Sequence, residues 1–375
     1  MQKNQPYLII FLYLLLFTFG SCNAQEEKST RESITILETE DISNQSDDTY
    51  IDPIFFIEGQ LCQHLRKIFE DQKGNLWFGT NNYGMMKYDG DSLVYLSEVD
   101  GEDIGRVTEI FDDKSGNVWF GHYGGIAKFD GSNFKNYSEE DGLIYHEVWS
   151  VAKDRKGIMW IGTSEGVSRF DGKTFTDFPI PKAVVPDTTS MISYNRVSEI
   201  MEDRHGTLWF GTDGFGICKY DGKEFSQLTT ANGLPDNNVG DLMEDSKGNI
   251  WIGTMYGGLS FIAAEETHKK NPTFINYTKD GIIEGVEVGS FYEDKKGNFW
   301  FAAENHGVYR YDGNTFTNLY KEAGLLTNGI LCILEDSKDR FWFGGWGGLF
   351  RYGFDPGDSY AKEKTFYVVT KEGPF

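Results

Sequence analysis

The stretch Glu70 to Thr80, EDQKGNLWFGT, decides the fold, because it sets a tight-turn signal directly against an apolar run carrying a tryptophan, and then recurs. Its tryptophan, Trp77, returns as Trp119, Trp160, Trp209, Trp251, Trp300 and Trp342, at spacings of 42, 41, 49, 42, 49 and 42 residues. Self-similarity at roughly 40 to 45 residues, with several strands per unit, marks the blade of a β-propeller. The second unit shows the grammar: VTEIFDD, KSG, NVWFGH, YGG, IAKFDG and NFKNYSEEDGL give four β-rich pieces separated by Gly and Asp turns. The expected fold is therefore all-β, a seven-bladed β-propeller of four-stranded antiparallel blades.

Two turn signals punctuate the units, the second of them in five of the seven. The first is D-x-x-G, as in Asp71 with Gly74, Asp113 with Gly116 and Asp245 with Gly248. Asp hydrogen-bonds the turn backbone and Gly accepts positive φ, so the pair closes a hairpin between strands one and two. The seventh copy has Asp339 in place of the Gly, a residue that left-handed backbone tolerates less well. The second signal is Asp-Gly between strands three and four, as at Asp89-Gly90, Asp130-Gly131 and Asp312-Gly313. Blades pack face to face, so W-F-G and W-I-G read as strands buried on both faces, with Gly permitting close approach. The seven tryptophans are expected in the core rather than as ligand platforms.

Length and composition bound the rest. The 375 residues carry 44 Gly and 15% aromatics, which suits many short strands joined by tight turns. A net charge of −23 disfavours nucleic acid, whose phosphates need a cationic face. At the N-terminus Lys3 precedes an apolar run, Tyr7 to Phe19, too short to span a bilayer of about 30 Å. Gly20-Ser21-Cys22 resembles a lipobox, which implies a signal peptide over residues 1–21 and acylation of Cys22. Residues 22–50 are acidic and aperiodic and read as a flexible tether, followed by the propeller over 51–375. Gln25, Glu26 and Glu27 resemble the acidic signals that send some lipoproteins to the outer face of the outer membrane. The expected location is the cell envelope, lipid-anchored to the outer membrane, with the membrane engaged only through the anchor. Cys62, Cys218 and Cys332 remain and are expected as buried thiols, although Cys62 and Cys332 fall in the first and last repeats, which a ring makes neighbours.

EDSKGNIWIGT with GGLSF (Glu244 to Phe261) and GLPDNNV (Gly233 to Val239) resemble the two-component regulator propeller repeat. The resemblance covers nearly all of the chain after the tether. It implies a propeller of the kind found in the periplasmic sensor region of hybrid histidine kinases, where paired propellers often detect glycans. This chain departs from that pattern, with one propeller and no kinase or DNA-binding part, so what the resemblance implies is a recognition surface detached from the signalling machinery.

That surface is expected on one face of the disc. The strand two-to-three loops and the links between blades emerge together and vary, while the opposite face carries the uniform turns, and variable loops on a rigid scaffold suit binding. From the two-to-three loops the candidates are Asn82, Tyr83, His122, Tyr123, Glu165, Asp213, Phe215, Tyr256, Glu304, His306 and Trp346. From the links come Arg106, His146, Arg196, Asn238 and Glu287. Aromatic faces beside amides and carboxylates suit sugars, whose C–H patches stack while hydroxyls need fixed partners. The longest link, Pro179 to Arg196, reads equally as a ligand lid or as neutral drift. Lys67, Glu109, Ser150, Glu199, Asp241, Ser290 and Cys332 enter strand one of their blades and are expected to line the axial channel.

Linear catalytic motifs are lacking. Gly162 to Gly166 matches G-x-S-x-G, but in a strand-to-strand loop rather than the strand-to-helix turn that motif needs. No cofactor and no metal is implied. The function expected is a non-catalytic, ligand-binding or sensing lipoprotein of the envelope, recognising a glycan or another small extracellular ligand. Two alternatives stay open: a propeller lyase or glycosidase, with Glu165, Asp213, Glu304 and His306 the first residues to test, and a scaffold subunit with an envelope protein as partner.

Overall fold

The computed structural model describes residues 59–186, 191, 193–353, 365–371, 373 and 375. The signal segment, Cys22, the tether and Ile54 to Ile57 lie outside the described residues. Seven four-stranded antiparallel sheets are built in chain order, each with its strands paired consecutively. The innermost strands are Leu65–Glu70, Val107–Asp112, Val148–Lys153, Val197–Glu202, Val239–Glu244, Val288–Glu293 and Ile330–Glu335, and each packs against the innermost strands on either side. Because the first touches the last, the array closes into a ring. Among the described residues there is no α-helix, and none is long and apolar enough to cross a membrane.

Six of the seven second strands, among them Leu76–Thr80, Leu208–Thr212 and Ile250–Thr254, are buried at every position, and the seventh, Phe341–Gly345, at all but its first. The seven tryptophans are at most 6% exposed, and each belongs to one of seven separate apolar clusters. Each cluster lies between two blades. Trp77 packs with Val107, Ile110 and Phe120 of the second blade, and Trp342 with Leu65, Ile68 and Phe78 of the first. The core is thus seven apolar layers rather than one, and each buried aromatic contributes on the order of 2 to 3 kcal/mol.

The D-x-x-G turn does more than reverse the chain. In all seven blades the Asp Oδ2 accepts the indole N–H of the tryptophan six residues on, from Asp71 with Trp77 at 2.8 Å to Asp336 with Trp342 at 2.8 Å. Asp339 keeps the left-handed conformation of the Gly it replaces, at φ 60°, and pairs with Lys295 at 2.6 Å.

Both long spacings have local causes. The link after the third blade is extended, and in the fifth blade residues 263–274 replace the Asp-Gly turn and leave an outermost strand of two residues, Ile275–Asn276. Among the described residues, short 3-10 turns appear in three links. Those at Glu139–Asp141 and Thr230–Asn232 are capped by Ser138 and Thr229, a capping-box arrangement that the strand-centred reading of the sequence passed over.

Phe366–Val369 forms the outermost strand of the seventh blade, against Gly348–Tyr352, so that blade is made wholly from C-terminal sequence. Closure then rests on packing, on the Gln60 to Thr370 bridge, and on Phe375 stacked on Tyr88 of the first blade at 4.4 Å. Cys62 and Cys332 meet in this closing layer as buried free thiols, and Cys218 is likewise buried and free.

Candidate functional site

Each innermost strand is entered beside the end of its partner strand. The first residue of every two-to-three loop donates its N–H to the carbonyl of the residue just before strand one: Asn81 to His64, Tyr123 to Arg106, Ser164 to Glu147, Asp213 to Arg196, Met255 to Asn238, Glu304 to Glu287 and Trp346 to Gly329, at 2.9 to 3.3 Å. These seven bonds place loops and links on one face, around the mouth of the channel. The face is electrostatically divided.

On one side three guanidinium groups surround a single indole. Arg106 lies 4.1 Å from the Trp149 ring centroid, Arg196 4.7 Å and Arg66 5.9 Å. Cation–π attraction of this kind is worth about 0.5 to 2 kcal/mol per contact, more when water is excluded. Trp149 is held by its N–H on Ser164 Oγ at 2.8 Å, and Ser164 in turn donates to Glu147. Glu147 also accepts from Arg106, and Asp213, with a fully buried side chain, pairs with Arg196 at 3.1 Å. Arg66 instead meets a neutral amide, Asn81 Oδ1, at 3.1 Å. Burial and the charges of Arg106 and Arg196 lower Arg66 to about 10.

Beside this cluster, between the third and fourth blades, lies a cleft of about 230 Å³ lined by Glu165, Phe178, Lys182, Tyr194, Asn195, Arg196 and Phe215, among others. Tyr194 stands edge-on to Phe215 at 5.1 Å, with Lys182 over its ring at 3.5 Å. Asn195 donates to Glu165 at 2.6 Å, and Asp213 pins the long link by accepting from Ser193 N at 2.7 Å. Arg196 belongs to both the cleft and the arginine cluster.

The far side of the mouth is acidic. Partial desolvation and the adjacent Glu304 carboxylate raise Glu287 to about 7, so Glu287 holds its proton more tightly than an isolated carboxyl does. His306 pairs with Glu284 at 3.2 Å.

The remaining sequence candidates divide. Asn82 and Tyr256 are exposed on the loop face, and so is Tyr123, which stands edge-on to His146 at 5.5 Å. Tyr83 packs against the closing core layer, and Trp346 lies 4.3 Å from His64. His122 is turned inward instead: it is 3% exposed and bonds Asn136 and the Ile104 carbonyl, because the chain around Gly124 and Gly125 folds over it. Asn238 is likewise enclosed, with its amide donating to Asp236 at 3.1 Å. Arg66 and Trp149 were not among the candidates. They sit inside strands, where residues are read as blade surface, and only a comparison of the second position of every innermost strand would have singled them out.

Below the mouth, Lys67 bonds Glu109 at 2.8 Å across two blades. Glu199 and Asp241 face the same channel; burial and neighbouring carboxylates push Glu199 well up, and burial raises Asp241, which accepts from Phe291 N at 2.9 Å. Among the described residues no three His, Cys, Asp or Glu side chains group as a metal site.

Residues 60–82, 142–165, 191–214, 233–256 and 324–347 match the two component regulator propeller family, each match running from a link through the second strand. These are two-component regulator propeller repeats. The matched part of each regulator-propeller repeat is the part that builds the loop face. No curated protein matches the chain. Among solved structures, the extracellular domain of a putative hybrid two-component system from B. thetaiotaomicron is 22% identical with a TM-score of 0.63, over 76% of this chain and 39% of that one. PorZ of Porphyromonas gingivalis, a surface component of the type-IX secretion system, is 16% identical with a TM-score of 0.59, over 81% and 48%. Virginiamycin B lyase from Staphylococcus aureus is 14% identical with a TM-score of 0.56, over 76% and 93%. At these identities the likeness is one of fold, and this chain spans less than half the length of the first two.

Proposed function

We propose that this chain is a ligand-binding, sensing propeller of the bacterial cell envelope that recognises a glycan on its loop face without transforming it. The observation that carries this reading is the cleft at Tyr194 and Phe215, where aromatic rings stand beside the amide of Asn195, the carboxylate of Glu165 and the ammonium of Lys182, the mixture a sugar needs for stacking and for hydroxyl recognition. Acylation of Cys22 would tether the propeller to the membrane through residues 22–50. A glycan array probed with the purified full-length chain tests the reading, the expected result being retention of one glycan class that Phe215→Ala abolishes. Failure to retain any glycan, with an envelope protein recovered by pull-down, would replace it with the scaffold reading.

One observation favours a second reading. Glu287, with its raised proton affinity, beside the Glu304 carboxylate resembles an acid–base couple, and propellers host lyases. Turnover of a polysaccharide that Glu304→Gln abolishes would establish it.

A further inference from the structure

The arginine cluster is out of electrostatic balance. Three guanidinium groups converge on Trp149 against two carboxylates, Glu147 and Asp213, in a chain whose net charge is −23. Like charges gathered at a partly desolvated site cost free energy unless a counter-charge joins them. The imbalance falls on Arg66, whose named partner is an amide. Two further donors are committed to nothing in the described residues: the Nε atoms of Arg106 and Arg196 are buried without a hydrogen-bond partner. Forked guanidinium donors match the oxygens of a carboxylate or sulfate, which they bind in bidentate fashion. A single carboxylate or sulfate monoester among the three would equalise the charge count and give the orphaned donors an acceptor.

The site has an approach. Arg196 lines the cleft that holds Tyr194 and Phe215 and also lies against Trp149 in the cluster, so a ligand lying along those rings can reach the cluster through it. We propose that Arg66, Arg106 and Arg196 form an anion site at the channel mouth, and that the ligand is an acidic carbohydrate placing its carboxylate or sulfate there. The inference rests on the glycan reading above for the carbohydrate, and on the cluster alone for the anion.

The test separates the two. Thermal unfolding of the full-length chain is followed with sodium glucuronate or sodium sulfate against sodium chloride at equal ionic strength. Stabilisation by either anion beyond chloride, lost in Arg66→Gln, is the expected result, and its absence from the unsubstituted chain overturns the anion site. A response to glucuronate alone marks the carboxylate as the recognised group; a response to both admits sulfate as well. Calorimetry with an acidic oligosaccharide retained on the array should show at least tenfold weaker binding for Arg66→Gln, the loss of one charge-assisted pair, with partial retention in Arg66→Lys. Should Arg66→Gln not fold, the Arg66→Lys result and the weakening of the acidic ligand's binding by added salt decide the matter. Retention of neutral glycans only, unaffected by these substitutions, overturns the anion site and leaves the glycan reading standing. An anion response joined to binding of acidic peptides, with no glycan retained, overturns the carbohydrate.

Discussion

Asp245 shows how much one side chain does in a repeat. Its Oδ1 accepts the N–H groups of Lys247 and Asn249, and its Oδ2 accepts the Asn249 amide and the Trp251 indole at 3.0 Å. Removing the carboxylate strands a buried indole donor as well as opening the turn, so Asp245→Ala should cost about 2 to 4 kcal/mol, measured by urea unfolding, where Lys247→Ala on the exposed turn should cost little. The same bonds set a pH dependence. Burial alone would raise Asp113, but hydrogen bonds from Asn117, Trp119 and the turn backbone outweigh it and hold the group at about 2. A carboxylate whose folded value lies below its unfolded value of about 3.9 contributes stability that is full above that value and is lost as the pH falls toward 2. Stability should therefore decline below about pH 4, and Asp113→Asn should flatten part of that decline. Glu287 carries the opposite sign. Its folded value of about 7 lies above the ordinary carboxylate range, so the folded state holds the extra proton and loses relative stability as the pH rises toward 7. The Glu287 carboxyl carbon, followed by NMR, should titrate near 7 and move down in Glu304→Gln; an ordinary titration in the unsubstituted chain would contradict the raised value.

At the scale of the strand, the deciding feature is the Gly of W-x-G. A Cβ on Gly253 would stand 2.1 Å from the Val288 carbonyl oxygen of the next blade, and one on Gly79 or Gly121 would stand 2.8 or 2.6 Å from a Val methyl. Backbone yields less readily than a methyl. Gly253→Ala should thus destabilise by about 2 to 3 kcal/mol, and Gly90→Ala less despite its positive φ, since open space surrounds Gly90. Strands, hairpins and blade count were legible because each has a local cause: alternation, a turn dipeptide, a Gly where two backbones meet. Asp71 was legible as a turn residue but not as the acceptor for Trp77, a contact six positions on that only repetition at a fixed offset reveals. The loop face was legible as a region. Its individual residues were not, because whether His122 points outward or under Gly124 depends on a loop path that short polar sequence does not encode. Arg66, Arg106, Trp149 and Arg196 come from four strands or links belonging to four successive blades, and their meeting is a product of the ring alone.

The ring is stapled from blade to blade on the face opposite the site. The N–H following each turn Asp donates to the acidic residue that ends strand one of the next blade: Gln72 to Asp112, Arg155 to Glu202, Arg204 to Glu244, Ser246 to Glu293, Lys295 to Glu335 and, across the closure, Ser337 to Glu70 at 2.6 Å. Six interfaces of seven are joined in this way. The exception lies between the second and third blades, where Lys153 stands at the end of the strand, and an ammonium has no lone pair to accept with. In a closed array each blade has two neighbours, so stability depends on interface terms and local opening should begin at the weakest of them. Lys153→Glu would place a carboxylate opposite the Lys114 N–H and add the missing staple. Because the position is exposed, the gain should be modest, about 0.5 to 1.5 kcal/mol, the range of a hydrogen bond to a solvated charge. Hydrogen exchange should show Val148–Lys153 among the less protected innermost strands in the unsubstituted chain and better protected in Lys153→Glu. The reverse change at a stapled interface, Glu244→Lys, should lower stability and expose Val239–Glu244 to exchange. Equal protection of all seven innermost strands, unmoved by either substitution, would mean that the apolar layers alone hold the ring and the staples only decorate its rim.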